Sequence, residues 1–194
     1  MIKKALIKKN PINLLIAIIF LAFIFSNKNI FIKKIRSDNS LPEKIYNFMK
    51  YKENRIKIFN KAIALNNGSS CNTCVYFVSE VLRNNNIDID TSTCNTHQLI
   101  DILEENNFKK EKDYKKLKPG DICFTTDEYL NTEGIPSHTY IFMGWEKENN
   151  YSYAYICDNQ AKDYKNKIYH LRNIKNHEIL NNKSKEPFSF FMYK

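Results

Sequence analysis

The fold is decided by the stretch Cys71-Asn-Thr-Cys74-Val-Tyr-Phe-Val-Ser-Glu-Val-Leu-Arg83. In a helix that begins at Cys74, side chains spaced three and four residues apart form one apolar stripe, which consists of Cys74, Phe77, Val78, Val81 and Leu82. A stripe of this kind packs against a core. The segment therefore predicts a buried helix, which the asparagines at 84–86 should end.

A cysteine opens this stripe, and its place at the helix start has a chemical consequence. Thr73 is a suitable N-cap residue, so the free backbone N–H groups and the positive end of the helix dipole should lie near the sulfur of Cys74. These groups favour the thiolate, which is the nucleophilic form. The alternative is that Cys74 is a small apolar residue at the top of a core helix.

The rest of the chain divides into helical patterns followed by strand patterns. Ser40-Leu-Pro-Glu43 predicts a helix start, Asn66-Asn-Gly68 ends a second helical phase, and residues 93–105 predict a further helix. After residue 120 four short runs rich in aromatic and β-branched residues predict strands at 121–125, 139–143, 153–157 and 188–193, with a hairpin turn at 146–150. This order predicts an α+β fold with helices packed on a segregated antiparallel sheet.

Three motifs in this order resemble the papain-like cysteine hydrolases of the NlpC and CHAP families. They are Cys74-x-x-Phe-Val-x-x-Val-Leu82, Leu117-x-Pro-Gly-Asp121 and His138-x-x-Ile-x-x-Gly144. The likeness covers about residues 55–194. In those families a helix with the nucleophile packs on an antiparallel sheet with the histidine, and most members cut peptide or amide bonds in bacterial peptidoglycan. The resemblance implies a cysteine peptidase or amidase without a cofactor, acting on stem peptides or cross-links.

The residues around the cysteine favour one of the two families. NlpC members usually have Asp before the cysteine and Ser-Gly after it, whereas this chain has Thr73 before it and Val75-Tyr76 after it. The CHAP pattern tolerates a bulky residue at the second place. The chain is therefore closer to the CHAP pattern, and the bond that it would cleave stays open.

A cysteine hydrolase needs a base beside the sulfur. We expect Cys74 to be the nucleophile and His138 to be the base, because His138 stands one residue before an apolar strand that can aim its ring at a helix start. The other histidines fit less well. His97 falls in a polar helix start, and His170 and His177 lie in a Lys- and Asn-rich segment without a strand pattern.

The base in turn needs a polar group that orients its ring. The families use a polar residue on the strand after the histidine strand, and Asp158 occupies that place. Asn159 and Gln160 are close alternatives, because a shift of one residue changes which side chain faces the site. The backbone N–H of Cys74 would be one donor to the oxyanion.

Three other functions compete with hydrolysis. The pairs Cys71-x-x-Cys74 and Cys94-x-x-His97 have the spacing of zinc ligands, so a zinc-binding domain is one alternative. An inactive domain of the same fold, which binds wall peptides or a protein partner, is the second. The third keeps the fold but changes the reaction to acyl transfer, which some relatives of this architecture perform on lipids.

The N-terminal region predicts membrane attachment. Residues 12–25 are almost entirely apolar and follow four lysines, so residues 1–26 predict an uncleaved signal anchor or transmembrane helix. Residues 27–54 would be a basic stalk and linker helix, and residues 55–194 the hydrolase domain. The predicted location is membrane-anchored with an extracytoplasmic catalytic domain, or secreted if the leader is cleaved.

The charge distribution also indicates a membrane as the partner of the N-terminal region. The formal net charge is +9, but residues 1–61 hold 14 Lys and Arg against 3 Asp and Glu, whereas residues 62–194 hold 16 against 18. The basic excess therefore lies near the predicted anchor. This distribution favours a charged membrane surface, and we expect no nucleic-acid partner.

Overall fold

Helices come first in the part of the chain that the computed structural model describes, residues 40–194. Among these residues there are four α-helices: α1 (Leu41–Met49), α2 (Lys52–Leu65), α3 (Cys74–Arg83) and α4 (Thr96–Glu105). Pro42 lies in the first turn of α1, where its missing N–H costs no hydrogen bond. Asn95 and Gln98 form a capping box that starts α4.

An antiparallel sheet follows the helices. Its six strands are arranged in the order β1 (Lys109–Glu111), β8 (Phe188–Tyr193), β2 (Ile122–Thr125), β3 (Thr139–Lys147), β4 (Asn150–Cys157) and β5 (Tyr169–Asn173). Two further strands, β6 (Glu178–Leu180) and β7 (Lys183–Lys185), form a separate hairpin. The predicted α+β class, with helices on an antiparallel sheet, is confirmed.

The strand pattern predicted most of this sheet but not all of it. The four predicted strands correspond to β2, β3, β4 and β8, and the turn between Lys147 and Asn150 lies inside the predicted hairpin turn. No pattern predicted β1, β5 or the small hairpin. His170 was predicted to lie outside any strand. This prediction was wrong, because His170 lies in β5.

Core residues alternate between the two faces of β3. Ile141 and Met143 are buried with Phe77 and Val81 of α3 in the core between helices and sheet. Tyr140 and Phe142 point to the other face, where they join a second cluster. The alternation follows from the period of two along a strand, and it leaves residues 139–143 of β3 buried on both faces.

The stripe predicted for α3 is buried except at its first residue. Phe77, Val78, Val81 and Leu82 are fully buried, while Cys74 is partly exposed. A partly exposed residue at the helix start is accessible to a ligand, whereas its neighbours fix the helix in place.

Helix α1 belongs to the same core. Ile45 and Met49 are buried in the cluster that contains Phe77, and the compact unit runs from Ser40 to Lys194.

A close contact joins the start of α1 to the turn before β2. A Cβ on Gly120, where φ is +97°, would lie 1.7 Å from the carbonyl oxygen of Pro42, so only glycine fits this contact. The boundary expected at residue 55 falls inside α2.

The predicted anchor in residues 1–26 and the adjoining stalk up to residue 39 lie outside the described residues. Within residues 40–194, no helix is both long enough and apolar enough to cross a membrane.

Candidate active site

The loop before α3 presents Cys74 at the start of the helix. Thr73 occupies the N-cap position, but its side chain does not cap the helix. Its hydroxyl instead donates to the carbonyl oxygens of Ser69, at 3.0 Å, and Cys71, at 3.1 Å. Thr73 stands at the predicted N-cap position. The backbone N–H groups of the first turn therefore stay available to the sulfur or to a ligand.

The thiol of Cys74 is neutral at physiological pH. Burial raises its pKa to about 11, and this effect outweighs the backbone N–H groups of Thr139 and Val75, which interact with the sulfur and lower it. The negative charge of Asp158 raises the pKa further. The expectation of a thiolate was wrong, because desolvation exceeds the stabilisation that the helix start supplies.

His138 lies just before β3 and is held by its backbone. Its N–H donates to Oγ1 of Thr125 at 3.0 Å, and its carbonyl oxygen accepts from the Thr125 N–H at 3.1 Å. The side chain is 4% exposed. Burial lowers the pKa of the imidazole, so the ring is neutral at pH 7 although Asp158 opposes this shift.

The ring of His138 pairs with Asp158, which follows the last residue of β4. Nε2 of His138 lies 2.9 Å from Oδ2 of Asp158. A carboxylate can only accept, so Nε2 carries the hydrogen and Nδ1 of the neutral ring has the free lone pair. Nδ1 is therefore the nitrogen that can take a proton.

Asp158 is fully buried and ionised. Burial raises its pKa, but His170, the hydrogen bond from His138 and the Arg172 guanidinium together lower it below the ordinary range. Oδ1 accepts the backbone N–H of Gln160 at 2.8 Å, and Arg172 Nη1 lies 3.9 Å from Oδ2. These contacts compensate for the loss of water around the carboxylate.

The two alternatives to Asp158 point elsewhere. Nδ2 of Asn159 donates to the carbonyl oxygen of Ser70 at 3.1 Å. Oε1 of Gln160 accepts from Nζ of Lys185 at 2.9 Å. Of the three candidates, Asp158 contacts the His138 ring, while Asn159 ties this segment to the loop before α3.

Two residues near Asp158 were missed in the sequence. His170 and Arg172, both on β5, are 4% and 2% exposed. Nε2 of His170 lies 3.8 Å from Oδ1 of Asp158, and its ring stacks on Tyr164 with the centroids 3.6 Å apart. The signal that could have found them is the run Ile168-Tyr-His-Leu-Arg-Asn-Ile174, in which apolar residues bracket the two basic ones.

The packing of α3 on β3 places Cys74 beside the strand that follows His138. Of the backbone N–H groups near the sulfur, one belongs to Thr139, the residue after His138. Within residues 40–194, no hydrogen bond joins Sγ of Cys74 to the His138 ring. Proton transfer therefore requires Sγ and Nδ1 to approach, as catalytic groups in ligand-free sites often do when substrate binds.

The residues suggested as zinc ligands do not form a metal site. Nδ1 of His97 pairs with Oδ2 of Asp101 at 2.9 Å, and Cys71 and Cys94 are exposed. In the described part of the chain, no group of three or more His, Cys, Asp or Glu side chains is arranged to hold a metal ion.

Comparison with known proteins provides no relative: no protein-family model, no curated protein and no solved structure matches this chain. The function therefore has to be proposed from the residues and geometry of the site itself.

Proposed function

We propose that this chain is a cysteine hydrolase of the papain-like NlpC and CHAP type, which cleaves peptide or amide bonds of bacterial peptidoglycan. Cys74 is the nucleophile, His138 the base and Asp158 the group that orients the base. One observation supports the proposal. Cys74, at the start of α3, lies at the backbone of Thr139, and the preceding residue is the buried His138, whose ring is 2.9 Å from the ionised Asp158.

Activation of the sulfur occurs during the attack. Cys74 starts as a thiol and His138 as a neutral ring with its lone pair on Nδ1. Nδ1 takes the thiol proton while Sγ forms a bond to the carbonyl carbon of the substrate. The imidazolium that results is stabilised by the Asp158 carboxylate at Nε2.

The negative charge on the substrate oxygen needs donors. The backbone N–H groups of the first turn of α3 are suitable, because Thr73 does not cap them. The tetrahedral intermediate then collapses, the carbon–nitrogen bond breaks, and the imidazolium of His138 gives its proton to the leaving amine. Water, deprotonated by the neutral ring, attacks the thioester and releases a carboxylic acid and the thiol.

The rest of the chain supports a substrate and a location for the proposed activity. The three motifs resemble those of wall hydrolases, so stem peptides or cross-links of peptidoglycan are the proposed partners. The predicted anchor in residues 1–26 and its basic flank would hold the domain at the outer face of a membrane, where this polymer lies. Nucleic acid is not a proposed partner, because residues 62–194 carry slightly more acidic than basic side chains.

The proposal is tested by mass spectrometry of purified peptidoglycan after incubation with the full-length chain. Wild-type protein should release muropeptides and the masses should identify the bond. Cys74→Ala should abolish release because the nucleophile is gone, while Cys71→Ala and Cys94→Ala, at exposed positions, should keep most of it. Equal losses in all three variants would contradict the assignment of the nucleophile.

A second candidate is a domain of the same fold that binds wall peptides without cleaving them. The neutral thiol and the missing hydrogen bond between Cys74 and His138 favour it. In that case wild-type protein and Cys74→Ala would sediment equally with insoluble peptidoglycan, and neither would release muropeptides.

A further inference from the structure

A polar cavity of about 230 Å³ adjoins the proposed site. One wall is the loop before Cys74, with Ser70 and Cys71, and another begins at Asn159, immediately after Asp158. The hydrogen bond from Asn159 to the Ser70 carbonyl joins these walls. Cys74, His138 and Asp158 do not line the cavity, but two of its walls come within three residues of Cys74 and Asp158 along the chain.

The cavity has a positive lining. Lys162, Lys183 and Lys185 contribute to it, against the single acid Asp163. Lys185 is 1% exposed and donates from Nζ to Asp163 at 2.8 Å and to Gln160 at 2.9 Å. Lys183 donates to Asp163 at 2.8 Å. An ammonium group has three N–H donors, so Lys183, whose side chain is 56% exposed, has donors left for an anion, while the buried Lys185 adds its positive charge.

Asn159 provides a second kind of contact. It is 7% exposed, and the bond from Nδ2 to Ser70 fixes the orientation of its amide. Its Oδ1 is buried and accepts no hydrogen bond from any residue in the range 40–194. An unsatisfied buried acceptor is costly, and a ligand N–H would satisfy it.

We infer that this cavity binds one residue of the substrate that carries a free carboxylate. The carboxylate would lie among the lysines, and the backbone N–H of the same residue would donate to Oδ1 of Asn159. A volume of about 230 Å³ is below the ~300–1,000 Å³ of pockets for larger ligands and suits a single amino-acid residue. The inference rests on the proposed function and narrows the substrate to peptides with a free carboxylate near the cleaved bond.

The test measures binding without turnover. Full-length Cys74→Ala is titrated by calorimetry with three probes: N-acetyl-alanyl-alanine, the same dipeptide with a C-terminal carboxamide, and inorganic phosphate. The acid should bind at least about tenfold more tightly than the amide, which corresponds to about 1.4 kcal/mol. Phosphate should bind more weakly than the acid, because it cannot place a donor at Asn159 and a carboxylate among the lysines at the spacing of an amino-acid residue.

Matched variants locate the effect. In the Cys74→Ala background, Lys162→Ala and Lys183→Ala should each weaken binding of the acid severalfold and leave the amide unchanged. Lys147→Ala, at an exposed position outside the cavity, should change neither. Circular dichroism identifies a variant that has lost its fold. If one of the two lysine variants fails to fold, the other still tests the inference.

Equal affinities for acid and amide, or no binding of the acid, would overturn the inference. Tighter binding of phosphate than of the acid would also overturn it and would assign the cavity to a phosphoryl group. Since no step requires hydrolysis, a wild-type protein that fails to cleave peptidoglycan refutes the proposed function separately from the result of this titration.

Discussion

The two halves of the proposed site are held in different ways. His138 and Asp158 are fixed by polar contacts: the backbone of His138 bonds Thr125 twice, and the carboxylate of Asp158 contacts the His138 ring and the Gln160 N–H. Cys74 is held instead by the packing of α3 on the sheet. Within the described residues, no hydrogen bond links its sulfur to the ring.

This difference indicates which part of the chemistry is prepared in advance. The base has its tautomer, orientation and counter-charge before any ligand binds. The sulfur is a neutral thiol, because burial raises the pKa of Cys74 to about 11. The site is therefore expected to form its ion pair only when substrate brings the sulfur and Nδ1 together, and not to keep a thiolate at rest.

The largest expected effect is the pH dependence of alkylation. Below its pKa a thiol gains about tenfold in thiolate per pH unit, so the reaction of Cys74 with iodoacetamide should rise about 10⁴-fold from pH 6 to pH 10. At pH 6 the exposed Cys71 and Cys94 should react before Cys74. Peptide mass spectrometry after timed quenching measures each site.

The buried Cys123 and Cys157 are internal controls and should stay unlabelled in folded protein. A labelling rate at Cys74 that is already constant above pH 6 would mean that the thiolate is present at rest, and the contrast between the halves would disappear.

The next largest effect is expected when the negative charge of Asp158, which stabilises the His138 imidazolium, is removed. Asp158→Asn should lower kcat by about 10²–10⁴-fold, because an amide can donate to Nε2 and stabilise the tautomer with its hydrogen on Nδ1. KM should change little. Steady-state rates on a purified muropeptide measure both, and Asp88→Asn, at an exposed position, is the matched control. A decrease below tenfold would remove Asp158 from the proposed mechanism.

The sequence predicted what local periodicity can specify. The stripe from Phe77 to Leu82 and the four apolar strand runs each have a clear period, so helix α3 and strands β2, β3, β4 and β8 were predictable. His138 and Asp158 stand at the ends of neighbouring predicted strands, which made their approach foreseeable. Their catalytic roles stay predictions.

What the sequence could not supply depends on tertiary burial. Strand β5 has five residues and is flanked by lysines and asparagines, so its composition hides that His170 and Arg172 are buried. The pKa of Cys74 was misjudged for the same reason. The sequence shows that Cys74 begins a helix, which lowers its pKa, but it does not show the desolvation that raises it. Both errors concern polar groups that tertiary packing removes from water.

The last prediction concerns the cation that compensates Asp158. Arg172 is 2% exposed, and its Nη2 donates to the Glu186 carbonyl at 2.9 Å. Arg172→Met should cost about 2–4 kcal/mol of unfolding free energy at pH 7, because it leaves a buried carboxylate less compensated and a carbonyl without its donor. Urea denaturation measures this change.

The pH dependence separates the two causes. The lowered pKa of Asp158 stabilises the fold above the unfolded-state value of about 3.9 and loses that effect as pH falls towards the folded-state value. The cost of losing Arg172 should therefore stay constant between pH 7 and pH 5, and it should decrease only as the pH approaches the folded-state pKa of Asp158. A cost that already decreases between pH 7 and pH 5 would mean that a group other than Asp158 carries the effect.

Arg83→Met is the matched control at a second buried carboxylate. Arg83 pairs with Glu80, which is 0% exposed, at 2.6 Å, and Lys61 stays 2.8 Å from the other oxygen when Arg83 is removed. The expected cost is about 1–2 kcal/mol, with hydrolysis retained. If both variants reduced hydrolysis equally, the effect on rate would come from general loss of stability, and the polar fixation of His138 and Asp158 would have no separate role.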